Sequence, residues 1–481
     1  MPKILNYLQG TWTYGAGQGK PLFHAITGEE IGTTDTSGFD FSAVLDYARR
    51  TGGPALRKMT FHERGRMLKA LALYLSERKQ AYYEISYMTG ATRIDNLIDI
   101  DGGIGNLFAY SSLRRQFPNL PYMSEGDPAR LSKGGTFIGH HLLVPKEGVA
   151  IHINAFNFPV WGMLEKIAVN LLAGVPAVVK PATLTSYLTQ AVTRDIISSG
   201  ILPEGALQLI CGNANGLLDH VTEQDVVTFT GSASTGKSLK AHPRIIDLAV
   251  PFNMEADSLN ASVLGPDAVP GTPEFDIFIK EMRKEITTKC GQKCTAVRRI
   301  LVPHNLVEDV TRALSTALSQ TVIGNPKNEK VRMGALAGKT QFTEVLEKLT
   351  QLKSGNEVIY GDPHKVEPVD ADAARGSFMA PVLLLNSNPH TNLSSHDVEA
   401  FGPVATVMPY TTIDEAVAIT KLGRGSLVCS ITTMNDDTAR DFVVGAASHH
   451  GRILVLNRES APESTGHGSP MPMLVHGGPG R

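Results

Sequence analysis

Between residues 148 and 231 short β-branched runs alternate with helical stretches, and this alternation constrains the fold more than any other feature of the 481-residue chain. The order is "GVAIHIN", a helix around "GMLEKIAVNLLAG", "PAVVKP", a helix "TSYLTQAVTRDIISSG", then "ALQLICG" and "DVVTFTG". Parallel neighbours can be joined only by a crossover long enough to hold a helix, and such crossovers are right-handed. The expectation is therefore an α/β, doubly wound, Rossmann-like sheet whose ligands sit beyond the carboxyl ends of its strands. A second alternation begins near residue 251, with the helix "FDIFIKEMRKEITTKCGQKC", the strand "RRILVP", a helix from "NLVEDVTRALSTALSQ" and later "FGPVATVMPY". It predicts a second α/β domain. Upstream, Thr60 and Glu63 stand at capping-box spacing, and Met67, Leu68, Leu71 and Leu75 follow at helical intervals, which predicts an amphipathic helix.

The 45 basic and 47 acidic residues leave a formal charge of -2, so no global field draws the chain to nucleic acid or anionic lipid. "MPKILNYLQGTW" has no apolar run of signal-peptide length, and the most apolar region, 148 to 180, is interrupted by Asn154, Asn157, Glu165 and Lys166. A cytoplasmic protein without a membrane or nucleic-acid partner is expected. Cys211, Cys290, Cys294 and Cys429 are too few and scattered for a disulfide framework.

"DVVTFTGSASTGKS" contains Gly231, then Gly236-Lys237-Ser238 at the spacing of a nucleotide-triphosphatase P-loop. Glycines after a strand let backbone N–H groups approach an oxyanion, so phosphate cradling suits a triphosphatase and a dinucleotide site alike. Pro243 opposes the first, since it breaks the following helix early. Lys180, at the carboxyl end of "PAVV", favours the second, its ammonium being able to reach a ribose or phosphate. A Gly-rich turn without a ligand is the plain alternative.

In "TTKCGQKCTAVRR" Cys290 and Cys294 stand four apart. On one helix face they could begin a metal site, but zinc needs about four ligands, no His or Cys lies nearby, and Gly291 weakens the helix between them. No metal is expected. The other reading makes one thiol a nucleophile, which needs a proton acceptor and an oxyanion donor. Glu255, after "VPFNM", and Asn157, after "GVAIHINAF", are candidates for these roles, although each residue type also serves as ordinary surface or turn.

Taken together these residues resemble the aldehyde dehydrogenase family. "NAFNFP" is similar to its oxyanion motif, "KPAT" to its Lys-Pro cofactor motif, "FTGSASTG" to its phosphate turn, "GQKCTA" to its nucleophile motif and "EAFGP" to its Glu-x-Phe-Gly-Pro motif, all in the family's order. The resemblance implies the aldehyde dehydrogenase fold, with an NAD(P)-binding domain (1–117 and 148–250), a catalytic domain (251–449) and a small β oligomerisation arm (118–147 and 450–481). It implies that Cys294 attacks the aldehyde, that Asn157 and the Cys294 N–H stabilise the oxygen, and that Glu255 activates water against the thioester. For the cofactor it implies Ile153, Phe156, Thr183 and Gly231 among the binding residues, Lys180 and Ser232 at the adenosine and pyrophosphate, and Glu399 with Phe401 at the nicotinamide ribose. A homodimer or larger homo-oligomer is implied as well.

Departures from the family pattern narrow the expectation. Thr183 stands where many members carry a Glu that grips the ribose hydroxyls, which lowers the electrostatic cost of a 2′-phosphate; NADP is expected ahead of NAD. "MEADSLN" and the tail "STGHGSPMPMLVHGGPGR" resemble a narrow subgroup, found as half of a bifunctional phenylacetate-degradation enzyme and as stand-alone relatives in aerobic benzoate degradation. The implied substrate is a CoA-linked semialdehyde, 3-oxo-5,6-dehydrosuberyl-CoA semialdehyde or 3,4-dehydroadipyl-CoA semialdehyde. That subgroup continues past "HGGPGR" into a helix and strand, so the chain is expected to be a fragment lacking part of its arm. The competing functions are an acylating or more general aldehyde dehydrogenase, the P-loop-like triphosphatase, and a binding protein that kept the fold; Glu255 favours hydrolysis over acyl transfer.

Overall fold

In the computed structural model, which describes residues 2–469 and 477–478, the chain divides into two units. The first comprises 1–23, 30–85 and 96–254, and the second 24–29, 86–95 and 255–481. The two short segments 24–29 and 86–95, and the boundary after 254, differ from the limits that the resemblance implies.

The sheet of the first unit runs, edge to edge, Phe252–Ala256, whose last two residues the division counts with the second unit, then Val226–Gly231, Ala150–Ile153, Ala177–Lys180, Leu207–Leu209, Asn6–Leu8 and Thr11–Thr13. Ala150–Ile153 pairs in parallel with both Ala177–Lys180 and Val226–Gly231, and Leu207–Leu209 continues the parallel set. The strand order thus reverses at Ala150–Ile153. A crevice opens at such a reversal because the crossovers on either side leave over opposite faces. Val149, Ile151, Val178 and Val227 are fully buried in one core cluster, which is why these strands read as near-continuous apolar runs. The helix Phe61–Ser76 has the expected capping box, Thr60 and Glu63 exchanging both bonds, and buries Met67, Leu68, Leu71 and Leu75.

A two-stranded antiparallel ribbon, Met123–Arg130 with Ile138–Leu143, stands within 118–147. Its neighbourhood exposes Phe137, Ile138, Leu142 and Val144.

The sheet of the second unit runs Glu357–Tyr360, Val382–Leu385, Val404–Tyr410, Val297–Pro303, Asn260–Leu264, Ser426–Thr432 and His450–Leu456, parallel except for the first strand. Every residue of Asn260–Leu264, Val297–Pro303 and Ser426–Thr432 is buried, the signature of strands covered on both faces. His450–Leu456 pairs along its length with Ser426–Thr432. The range 450–481, read from sequence as arm, therefore begins with the edge strand of this sheet, because "RILVL" is β-branched enough to extend it; residues 470–476 and 479–481 of that range lie outside the described residues. Among the described residues, no helix is long and apolar enough to cross a membrane.

Candidate active site

The first unit gathers one set of expected residues at the carboxyl ends of its parallel strands. Ile153 ends its strand, and the Asn154 N–H donates to the Lys180 carbonyl at 3.0 Å, tying the two strand ends together. The Thr185 hydroxyl donates to the Phe156 carbonyl at 3.1 Å, joining that turn to the Thr183–Thr185 helical turn. Asn157 is 6% exposed just before the helix Pro159–Leu172. Pro159 carries no N–H, and the next two, of Val160 and Trp161, donate to one oxygen of Asp99 at 3.0 and 2.7 Å. This carboxylate caps the helix from a distant segment and so fixes the Asn157 turn. Burial lowers the affinity of the Lys180 ammonium for its proton.

Gly231 and Ser232 form the turn after the Val226–Gly231 strand, and Ser232 caps the helix Ala233–Lys240 by accepting from the Thr235 N–H. Gly236, Lys237 and Ser238 lie inside that helix, and Gly236 is buried where a side chain would strike Met254. A P-loop needs its glycines free to wrap a phosphate before the helix begins, so the triphosphatase reading is overturned. Sequence reading passed over Lys166, whose ammonium donates to Asn154 Oδ1 at 2.8 Å and Thr230 Oγ1 at 2.7 Å beside the same turn.

The second unit holds Glu255, Cys294, Glu399 and Phe401. Here the carboxyl-end rule does not apply, since Cys294 precedes Val297–Pro303 and Glu399 precedes Val404–Tyr410. The helix Pro273–Thr287 ends before the cysteines, and Lys289, Cys290 and Gly291 all have positive φ, 52°, 53° and 69°. No helix carries both thiols. The turn is pinned from beneath, Asp95 accepting from the Lys289 N–H at 2.7 Å and the Lys289 ammonium donating to the Thr89 hydroxyl at 2.7 Å.

This turn separates the fates of the two cysteines. Cys290 is sealed in a core with Met333, Leu336 and Val345, where burial pushes its thiol far above the ordinary range. Cys294 is half-buried. Neither joins a disulfide, nor do Cys211 and Cys429, both fully buried with thiols pushed upward by desolvation. A thiol reacts as its thiolate, so burial disqualifies the other three as nucleophiles.

Asn260 holds the backbone around Cys294. Its amide N–H₂ donates to the Cys294 carbonyl at 2.8 Å and the Ala296 carbonyl at 3.0 Å, while its oxygen accepts from the Ser258 hydroxyl and the Val428 N–H. The Ser258 N–H in turn donates to Glu399 at 3.0 Å. Arg298 reaches Glu399 at 3.3 Å, donates to the Gly291 and Gly402 carbonyls, and lies over the Phe401 ring at 5.4 Å. Burial pushes the Glu399 carboxyl up to about 7, against the pull of Arg298. Sequence reading missed Asn260, Ser258 and Arg298. The signal was present in "AVRRILV": two arginines inside a fully buried strand must be compensated by carbonyls or carboxylates.

Residues 12–465 match the model of the aldehyde dehydrogenase family. The chain is 44% identical to the 3,4-dehydroadipyl-CoA semialdehyde dehydrogenase of Aromatoleum evansii over 99% of its own length and 93% of the relative's. Among solved structures it is similar to lactaldehyde dehydrogenase from Escherichia coli, with a TM-score of 0.83 at 20% identity over 99% of this chain and 94% of that one. Betaine aldehyde dehydrogenase from Staphylococcus aureus, solved in complex with NAD+, gives a TM-score of 0.80 at 19% identity over 94% and 87%.

Proposed function

From the premise that the chain belongs to the aldehyde dehydrogenase family, and is an oxidoreductase acting on aldehydes, we propose that it oxidises a CoA-linked semialdehyde to the carboxylate with NADP, through a thioester on Cys294. The observation that carries this reading is the contrast between thiols, three being sealed in cores while the fourth, Cys294, is half-buried on a turn clamped by Asn260.

The Cys294 sulfur would attack the aldehyde carbon, forming a carbon–sulfur bond as the oxygen takes negative charge. Asn157 and the Cys294 N–H would donate to that oxygen, where hydrogen bonds aimed at developing charge are worth most. Collapse of the oxyanion expels hydride and leaves a thioester. Glu255 would remove a proton from water, whose oxygen displaces the sulfur and releases the carboxylate. A base serving water favours this over an acylating outcome.

Donor chemistry at the carboxyl edge of the first sheet fits a dinucleotide: the exposed Ser232 turn opens a helix, and the Lys180 ammonium ends a strand of the same sheet, on the other side of Ala150–Ile153. Ile153, Phe156, Lys180, Thr183, Gly231 and Ser232 would hold its adenosine half, with Glu399 and Phe401 at the nicotinamide ribose. When bound, the nicotinamide accepts the hydride that the aldehyde carbon loses. Thr183 supports NADP over NAD, and T183E is expected to move the preference toward NAD; unchanged preference would remove this argument.

The relative at 44% identity supports 3,4-dehydroadipyl-CoA semialdehyde as the substrate. The 3-oxo-5,6-dehydrosuberyl analogue and a place in aerobic aromatic breakdown rest on the "MEADSLN" and "STGHGSPMPMLVHGGPGR" resemblance, and a cytoplasmic setting on the lack of an apolar signal-like run. The cofactor role falls to 1–117 with 148–250, and catalysis to 251–449 with the added edge strand. An isolated two-stranded ribbon is only marginally stable, so the exposed apolar ribbon within 118–147 supports pairing of copies into a homo-oligomer. The test follows the rise of nicotinamide absorbance on mixing enzyme, NADP and 3,4-dehydroadipyl-CoA semialdehyde. Turnover that C294S abolishes and C290S spares supports the proposal, whereas activity surviving C294S rejects it.

A further inference from the structure

One guanidinium in the second unit has no place in the steps above. Arg452 lies on the edge strand His450–Leu456, opposite Val428, whose N–H donates to the Asn260 amide that clamps the nucleophile turn. Its Nη2 donates to the Gly468 carbonyl at 2.7 Å. Gly468 in turn packs directly on Thr295 and Lys293, the two neighbours of Cys294; a methyl there would overlap the Thr295 hydroxyl and come to 3.1 Å from the Lys293 ammonium. His467 anchors the same segment through Ser430 at 2.9 Å, which continues to Ser262 at 2.8 Å. The tail segment thus bridges Arg452 to the residues flanking the sulfur.

The charges around Cys294 are unequally compensated. Arg298, from Val297–Pro303, also faces the thiol, but it is paired with Glu399 and spends its remaining donors on carbonyls. Lys293 is paired with Glu285 at 2.6 Å. His467 is held neutral by burial among Lys293, Arg452 and Lys284. Asp257 acts on Glu399. Arg452 is different: among the described residues no carboxylate pairs with it at contact distance, its buried Nε has no hydrogen-bond partner, and its charge is felt at the Cys294 sulfur and the Glu255 carboxyl. A cation left uncompensated in a partly desolvated place stabilises whatever negative charge is near it.

We propose that Arg452 is a positioning residue that acts through the charge of its guanidinium, holding the Cys294 sulfur as a thiolate and Glu255 as an ionised proton acceptor. This rests on the assignment of Cys294 as nucleophile. Removing the charge leaves the proton on sulfur to higher pH, so the reactive fraction at neutral pH falls while the fold of the turn, held by Asn260, persists.

The test is the pH dependence of alkylation of Cys294 by iodoacetamide in the full-length enzyme, read by peptide mass spectrometry. The thiolate attacks the methylene carbon, a sulfur–carbon bond forms, the carbon–iodine bond breaks and iodide leaves, so the rate reports the thiolate fraction. R452M keeps the packing of the aliphatic stem and is expected to raise the midpoint by about one pH unit, a roughly tenfold slower reaction at pH values below it. R452K, which retains the charge, is expected to restore most of the rate. Equal midpoints for the parent and R452M, or an R452K midpoint displaced as far as that of R452M, would overturn the proposal. If R452M does not fold, R452Q takes its place against R452K with the same two outcomes. Turnover surviving C294S would defeat the nucleophile assignment itself, and this proposal with it, before any Arg452 variant is compared.

Discussion

Replacing Gly291 by alanine perturbs the nucleophile turn at its tightest point. Gly291 has a φ of 69°, and an added methyl would overlap the Gly402 carbonyl and come within 2.5 Å of the Pro403 nitrogen. The left-handed conformation alone costs an L-residue roughly 1–2 kcal/mol. The obstructing atoms are backbone, so relief requires moving a chain segment, at about 1–3 kcal/mol on the scale of overpacked cores. G291A should therefore lose about 2–5 kcal/mol, a large share of the stability of any domain. The loss reaches function because Arg298 donates to the Gly291 carbonyl at 2.9 Å and the Gly402 carbonyl at 2.8 Å; separating the two segments breaks the clamp three residues before Cys294. Urea unfolding and initial rates well below the melting temperature are the assays, with aldehyde oxidation expected to fall more than about tenfold, beyond what unfolding removes. Gly105 supplies the control. It lies in the helix Gly102–Ser112 with open space around it, so G105A should gain about 0.5–1 kcal/mol at full activity. A G291A enzyme of parental stability and rate would refute the reasoning.

Three further outcomes are expected. The Glu399 carboxyl is raised by burial from 4.5 to about 7, so its contribution to folding is full below about pH 4.5 and is lost as pH rises through about 7. E399Q, neutral at every pH, should accordingly gain about 3 kcal/mol relative to the parent between about pH 5 and pH 8 in urea unfolding; a constant difference would deny the shift. N260A unpins two carbonyls and two donors, and should cost about 3 kcal/mol together with most of the turnover; a wild-type rate at unchanged stability would show that the clamp is idle. C290S buries a hydroxyl in an apolar core and should cost about 1–3 kcal/mol in thermal unfolding without slowing oxidation, while equal loss of activity in C290S and C294S would revive a paired-thiol site.

Much of the architecture is legible because both parallel sheets are buried on two faces, which writes each central strand as a run such as "AVVK" or "RRILV" between helical stretches. At the strand ends of the first sheet, Lys180 and the Gly231–Ser232 turn carry their own Lys and Gly signatures, whereas Ile153, Phe156 and Thr183 enter only with the family resemblance. The second site was less so. Cys294 and Glu399 precede their strands, Glu255 lies within Phe252–Ala256, and the network around them, Asn260 to Cys294 and Ser258 to Glu399, joins positions 34 and 141 residues apart. The run of left-handed backbone at Lys289 and Cys290 is foreign to both residue types and is sustained by a buried carboxylate from residue 95, which no local pattern announces. His450–Leu456 falls in the range that the resemblance implies as arm, and composition offers no correction, since strands at a sheet edge and in a ribbon are alike in it.

The nucleophile assignment is tested most directly by trapping the acyl group. E255Q mixed with NADP and the CoA-linked semialdehyde should form the thioester faster than it is hydrolysed, so mass spectrometry of the digested protein should find the acyl mass on the peptide at Cys294, with Cys290 unmodified. An acyl adduct on any other residue, or nicotinamide reduction at full rate with no adduct on C294S or E255Q protein, would contradict the account.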